Sequence, residues 1–242
     1  MINNKKVLCL VLARKNSKGL PGKNLKKLNG TPLVGISIKT AAKSEYIDDT
    51  ILSTDCEKIA KIGLKYGANV PSLRPSNLAK DTSKSEDVIM HILNNLNEIY
   101  DYLVLLEPTS PFTTTQDVDE AIYELNKKSR SYKSLVSVSK IQSSHPDFCY
   151  MLKKNNAIVS YVKKNNKSQP RRQDISDLFF CDGSLYLSCI SSFKKNKSFF
   201  HNRTLAKIMP KWKSLEIDDY LDYIHAQATV KNISKIRSHE KK

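Results

Sequence analysis

The chain has 242 residues and a mass of 27.5 kDa, enough to bury one substantial core, since single α/β domains commonly run to about 200–250 residues. Its 40% hydrophobic and 26% charged residues exclude a disordered or fibrous chain, and 40 Lys and Arg against 24 Asp and Glu give a formal charge of +16. Five cysteines, Cys9, Cys56, Cys149, Cys181 and Cys189, contain no CxxC pair; they exclude a disulfide scaffold and read as buried thiols in a reducing compartment.

The N-terminus imitates a secretory signal, with Lys5 and Lys6 ahead of the apolar run Val7 to Ala13. Arg14, Lys15 and Lys18 follow in place of a small-residue cleavage site, and no stretch approaches the roughly 18 apolar residues of a membrane span. A cytoplasmic protein with no membrane partner is expected. The positive charge is spread over pairs such as Lys26-Lys27, Lys127-Lys128, Lys153-Lys154, Lys163-Lys164 and Lys194-Lys195. That pattern reads as a solvated surface rather than a nucleic-acid face.

Val7 to Ala13 lacks alternation, as a strand buried on both faces of a parallel sheet does. A polar loop, Arg14 to Lys27, leads to Thr31-Pro32, an N-cap and N1 proline for a helix through about Lys43. Thr50 to Ser53 reads as a second strand, Cys56 to Tyr66 as a helix closed by Gly67, and Ala68 to Val70 as a third strand. Lys84 to Asn97 has helical apolar spacing and feeds the strand Tyr102 to Leu106; Asp117 to Leu125 is again helical and Ser134 to Ser139 extended. Alternating elements of this kind predict one domain, 1–242, built on a doubly wound, mostly parallel sheet with ligands at the carboxyl ends of its strands.

From about 141 to 192 the pattern changes to hairpin-like strands, Cys149 to Lys153 and Ala157 to Val162, which read as an excursion from the sheet. The helix Tyr220 to Val230 follows the acidic run Glu216-Ile217-Asp218-Asp219, and the basic tail from Lys231 is expected to fray.

Residues Ala13 to Asn24 concentrate four cations and two glycines just past a strand end. Glycine lets backbone N–H groups approach anionic oxygens, and the cations neutralise charge that would repel an incoming nucleophile, so the loop suits a polyphosphate. It is neither a Walker loop nor a GxGxxG fingerprint. Glu216 and Asp218, two apart, would point to the same side of an extended segment and suit Mg²⁺, which favours one or two carboxylates. Asp55 reads as a helix N-cap or a metal ligand, the cap being favoured. Neither His145 nor His201 has metal-ligand spacing.

Leu12 to Asn24 resembles the signature loop of the CMP-sialic acid synthetases, the N-acylneuraminate cytidylyltransferases. Ser53-Thr54-Asp55, Leu73-Arg74-Pro75, Leu78 to Ser83, Pro108-Thr109-Ser110-Pro111 and Ile217-Asp218 follow in the family's order, nearly the whole chain. The resemblance implies a Rossmann-like nucleotidyltransferase with a β-rich dimerisation arm at about 141–192. It further implies a homodimer that uses Mg²⁺ and CTP to activate a nonulosonic acid with release of pyrophosphate. By matching positions it implies Arg14, Lys18, Lys23 and Asn24 at the triphosphate, Arg74 and Ser85 at the nucleotide, and Glu216 and Asp218 at the metal. Arg14, Lys18, Glu216 and Asp218 would carry catalysis, with Glu216 or a metal-bound hydroxide as base. Asp81 matches a position near the nucleotide, although Asp-Thr-Ser also makes a turn.

Three departures concern the sugar side. Glu107 stands where the family usually has glutamine, Phe112-Thr113 where an arginine commonly follows Pro-Thr-Ser-Pro, and Phe180 where it has a second arginine, which leaves Arg172 and Tyr186 as the carried-over sugar contacts. A nucleotidyltransferase for another sugar acid or sugar phosphate, or a basic RNA-binding protein without catalysis, are the competing expectations.

Overall fold

The computed structural model describes residues 1–142, 144–162, 171, 173 and 175–240. In chain order the elements are β1 (Val7–Leu12), β2 (Lys27–Leu28), β3 (Thr31–Pro32), α1 (Leu33–Ala42), β4 (Asp49–Ser53), α2 (Glu57–Tyr66) and α3 (Ser85–Asn94). There follow β5 (Tyr102–Leu106), α4 (Thr115–Lys127), β6 (Ser134–Lys140), β7 (Tyr150–Leu152), β8 (Ile158–Ser160), β9 (Phe179–Cys189), α5 (Ile190–Asn196), β10 (Thr204–Ile208) and α6 (Tyr220–Glu240).

A six-stranded sheet in the order β10-β6-β9-β5-β1-β4 forms the centre, parallel except for β9, which runs antiparallel between β5 and β6. The unbroken apolar run of β1 serves two cores. Val7, Cys9 and Val11 face α1, α2 and α4 through Val34, Ile38, Ile59, Val118 and Ile122, while Leu8 and Leu10 face Ile89 and Leu93 of α3 and Phe193 of α5. Period-two side chains covered by helices on both faces leave no room for a polar residue, which is why the strand shows no alternation.

Several boundaries differ from the sequence-based expectations. Thr31 does not cap α1: Thr31–Pro32 pairs with Lys27–Leu28 as a short antiparallel ribbon, and Pro32 rather than Thr31 takes the N-cap position, without a side-chain cap. The expected strand at Ala68 to Val70 is a single bridge from Asn69 to Ile51. Helix α3 stops at Asn94, and α4 starts earlier than expected because Thr114 and Asp117 form a reciprocal capping box. The basic tail stays helical to Glu240 instead of fraying. Cys9 and Cys56 are buried, but Cys149 and Cys189 are half-buried and Cys181 is exposed; all five are free.

The largest correction concerns the excursion. Among the described residues its first part, the exposed hairpin of β7 and β8, leaves the sheet, whereas Phe179–Cys189 inserts as the central antiparallel strand. Asp182, Gly183 and Ser184 hid that strand by interrupting its apolar pattern. They are accommodated at an irregularity opposite Val136–Val138, where the buried Asp182 carboxylate accepts from the hydroxyls of Ser137 and Ser139 and from Ser184 N–H.

A third, smaller apolar cluster joins Leu20 of the β1 loop to Leu28, Leu33, Phe112, Ile217 and Ala226. It clamps the basic loop and the acidic segment against one another, and so builds the site.

Candidate active site

The loop after β1 is fixed from beneath. Ala13 N–H donates to the Ser53 carbonyl at 3.0 Å, and the buried Asn24 amide donates to the Arg14 carbonyl at 2.9 Å. Asn24 therefore braces the loop across its base. At its far side Gly22 adopts φ +67°, where a side chain would be strained, and Lys23 N–H closes a turn onto the Leu20 carbonyl at 3.0 Å.

The acidic segment meets this loop directly. A Cβ on Gly19 would lie 2.4 Å from the Asp218 carbonyl oxygen, so only glycine lets the two backbones touch. Lys23 Nζ reaches Asp218 Oδ1 at 2.9 Å. Ile217 is buried, and its N–H donates to the Thr109 carbonyl at 2.8 Å, while the Thr109 hydroxyl donates to Glu216 Oε1 at 3.2 Å. With Ile217 anchored inward, Glu216 and Asp218 stand on the opposite side of the segment. Gly183, at φ +70°, passes so close to Glu216 that a Cβ there would lie 3.2 Å from Oε2.

Arg14 and Lys18 both engage Asp81, Lys18 at 2.8 Å. Arg74 is half-buried at the end of β4, where Nε donates to Ser53 Oγ at 3.0 Å and Nη2 to the Ser53 carbonyl at 2.6 Å. Burial draws its pKa down, with Asp55 and Glu107 opposing the shift. Ser85 opens α3, exposed at the helix N-terminus. Asp55 is not the N-cap of α2: its carboxylate accepts Lys15 N–H at 2.7 Å, and Cys56 N–H takes Thr54 Oγ1 instead, so Asp55 is a strut of the basic loop.

Glu107 follows the last residue of β5. Burial, the largest cause, pushes its carboxyl up to about 7; Glu216 adds to the rise, as does Asp218, against Lys23 and Arg74. Glu216 is raised by burial and Asp218, with the Thr109 hydrogen bond working the other way. Tyr186, opposite Leu105 in the β5–β9 register, packs its ring on Phe199 at 5.3 Å. Burial and the nearby Glu107 hold its phenol above the usual range. Arg172 lies outside the described residues.

The site thus sits at the carboxyl ends of β1, β4 and β5, with cations on one wall and three carboxylates facing them. Oxygen-only donors in the pair Glu216 and Asp218 fit a hard divalent cation such as Mg²⁺, and no cluster of three or more metal-ligating side chains occurs among the described residues. A cavity of about 480 Å³ lined by Ile36, Phe112, Trp212 and Val230 lies between α1 and α6 and contains none of these residues.

The sequence profile of the cytidylyltransferase family matches residues 8–228. The chain belongs to this family. It is 32% identical over 229 residues to a CMP-N,N'-diacetyllegionaminic acid synthase of Legionella pneumophila, covering 90% of this chain and 93% of that protein. It is also 32% identical over 222 residues to an N-acylneuraminate cytidylyltransferase of Streptococcus agalactiae, covering 91% of this chain but about half, 52%, of that longer protein. Among solved structures, CMP:2-keto-3-deoxy-manno-octonic acid synthetase complexed with CTP superposes with a TM-score of 0.68 over 94% of this chain and 99% of its own, at 13% identity, and shares the fold.

Sequence reasoning missed what three residues of this cytidylyltransferase site touch: Gly19, Thr109 and Gly183. Thr109 lies inside a motif noticed only as a family marker. Gly19 and Gly183 were visible as glycines, but the groups that crowd them come from 199 and 33 residues away, from Asp218 and Glu216.

Proposed function

We propose that this enzyme transfers CMP from CTP to the anomeric C2 hydroxyl of a sialic-acid-like nonulosonic acid and releases pyrophosphate. The observation that carries the reading is the seating of the basic loop on the acidic segment, through Gly19 against the Asp218 backbone and Lys23 on the Asp218 carboxylate. A triphosphate bearing about four negative charges requires convergent cations before a hydroxyl can approach its α-phosphorus, and Arg14, Lys18 and Lys23 supply them. The hydroxyl attacks phosphorus directly; the P–O bond to pyrophosphate breaks, and no serine or cysteine nucleophile is needed.

Glu216 and Asp218 would hold Mg²⁺, which when bound neutralises charge on phosphate oxygens. Arg74 and Ser85 line the nucleotide side, and Glu107 and Tyr186 the sugar side; Arg172 is assigned to the sugar by its motif alone. Glu216 is the candidate base for the hydroxyl proton. The 32% identity over nearly the whole length of a legionaminic acid-activating relative supports a nine-carbon sugar acid.

A homodimer joined by the β7–β8 hairpin completes the proposal, because the hairpin exposes apolar side chains on both faces, Met151 and Val159 on one and Leu152 and Ile158 on the other. Free thiols fit a cytoplasmic setting, and no helix among the described residues is long and apolar enough to cross a membrane.

Pyrophosphate release with CTP, Mg²⁺ and a panel of neuraminic, legionaminic and pseudaminic acids, with an eight-carbon keto sugar acid beside them, tests the reading. Turnover with one of these is expected; turnover confined to an eight-carbon acid, or none, would overturn it. Sedimentation of the active enzyme as a monomer would refute the dimer.

A further inference from the structure

Asp81 comes from none of the strands that build the site, yet its carboxylate bridges two cations of the basic loop. Arg14 Nη1 donates to Oδ1 and Lys18 Nζ to Oδ2, the latter at 2.8 Å. Its own segment is tied down on both sides. Upstream, Arg74 N–H donates to the Thr54 carbonyl at 2.7 Å. Downstream, the Ser83 hydroxyl accepts Lys80 N–H and donates to the Asn77 carbonyl, both at 3.1 Å.

The two oxygens of Asp81 therefore occupy the position, between Arg14 and Lys18, that two non-bridging oxygens of a phosphate would take. A triphosphate and Asp81 cannot both stay between the same two cations without bringing like charges into contact. We propose that Asp81 is an intramolecular counter-ion of the triphosphate loop, holding Arg14 and Lys18 in place until the nucleotide displaces it and thereby setting the affinity for CTP. The inference rests on the nucleotide reading above.

Exchange is feasible because the pairs are open to solvent, with side chains 34% exposed at Arg14, 38% at Asp81 and 82% at Lys18. Such pairs hold a geometry but break cheaply. Both cations depress the Asp81 carboxyl, which keeps it charged and competitive across the neutral range. The remaining acids of the site face other groups: Asp218 takes Lys23, and Glu216 takes Thr109.

The test is calorimetric titration of the full chain with CTP in Mg²⁺ buffer and, separately, with inorganic tripolyphosphate, at one ionic strength, for the wild type, Asp81→Asn and Asp81→Glu. Asp81→Asn is expected to bind both ligands about 3- to 20-fold more tightly, the range set by losing two exposed ion pairs that compete with the ligand. Its KM for CTP should fall without a rise in kcat. Asp81→Glu, which keeps the charge, should stay within about twofold of the wild type. Unchanged or weaker binding by Asp81→Asn would overturn the proposal and make Asp81 an orienting or nucleotide-contacting group. A wild type that binds neither ligand would overturn the nucleotide reading itself, and the counter-ion with it.

Discussion

Replacing Gly19 by alanine isolates the contact on which the site is built. The added methyl would start 2.4 Å from the Asp218 carbonyl oxygen and 3.3 Å from its carbon. Carbon–oxygen contacts settle near 3.3–3.6 Å, so the two backbones must separate by about 1 Å. Both partners are main chain, and no rotamer change can absorb the move. Displacement of this size at a reacting centre costs roughly 10²-fold in rate, and Lys23 would be drawn off its 2.9 Å contact with Asp218. The assay is kcat/KM for pyrophosphate release beside a melting curve, in which overpacking of about 1–3 kcal/mol lowers Tm by roughly 2–12 °C, so the assay is run well below the variant's Tm. Gly22→Ala is the control. Its φ of +67° strains a side chain, but nothing lies within 4 Å, so it should lose stability of about 1–2 kcal/mol and less than about tenfold in rate. Wild-type kcat/KM in Gly19→Ala, or an equal loss in Gly22→Ala, would refute the close approach as the basis of the site.

Lys18→Ala should lower turnover by about 10² or more with the melting temperature unchanged, since a preorganised donor at a developing phosphate charge is worth about 2.7–4 kcal/mol and the side chain is 82% exposed; full turnover would remove the loop from the chemistry. Glu107→Gln should flatten the pH dependence of stability. The folded carboxyl titrates at about 7 against an ordinary 4.5, so the folded chain holds the proton more tightly and loses stability as pH rises between those values. Urea denaturation at about pH 5 and pH 8 should show that loss shrinking by up to about 3 kcal/mol in the variant, and equal slopes would refute it. The same variant should shift relative kcat/KM toward N-acetylneuraminic acid by about 1–3 kcal/mol, a preference unchanged across the sugar panel placing Glu107 away from the substrate. Lys213→Met would take the cation from the nearly buried Asp117 carboxylate, whose oxygens lie 2.6 and 2.7 Å from Nζ, and leave it the Thr114 N–H and hydroxyl, at a cost of about 1–3 kcal/mol in chemical denaturation; a loss below about 0.5 kcal/mol would show the pair to be dispensable.

Much of the fold was legible because burial on two faces writes itself into composition. The run Val7 to Val11 and the run Tyr102 to Leu106 contain no polar residue, and helical spacing between them demands a crossover. The strand β9 was not legible. Asp182 sits in its middle, and whether a carboxylate can be buried depends on Ser137 and Ser139, more than forty residues upstream and brought opposite only by sheet register. Local rules also failed at Thr31-Pro32, a good helix start by composition that the pairing with Lys27–Leu28 claims for a ribbon.

For the site, the sequence alone determined which residue types were present and that cations and glycines followed a leading strand, because electrostatics and backbone freedom are properties of single residues. It also placed the acidic pair on one side of an extended segment. Only the tertiary structure decided what those groups meet. Asn24 turns inward as a brace, Asp55 holds a loop instead of a helix, Asp81 takes Arg14 and Lys18, and Asp218 lies against Gly19. Each of these contacts joins segments from 10 to 199 residues apart, and their energies depend on distances of a few ångströms that no local pattern encodes, since they are set by how the whole sheet and its helices close around one core.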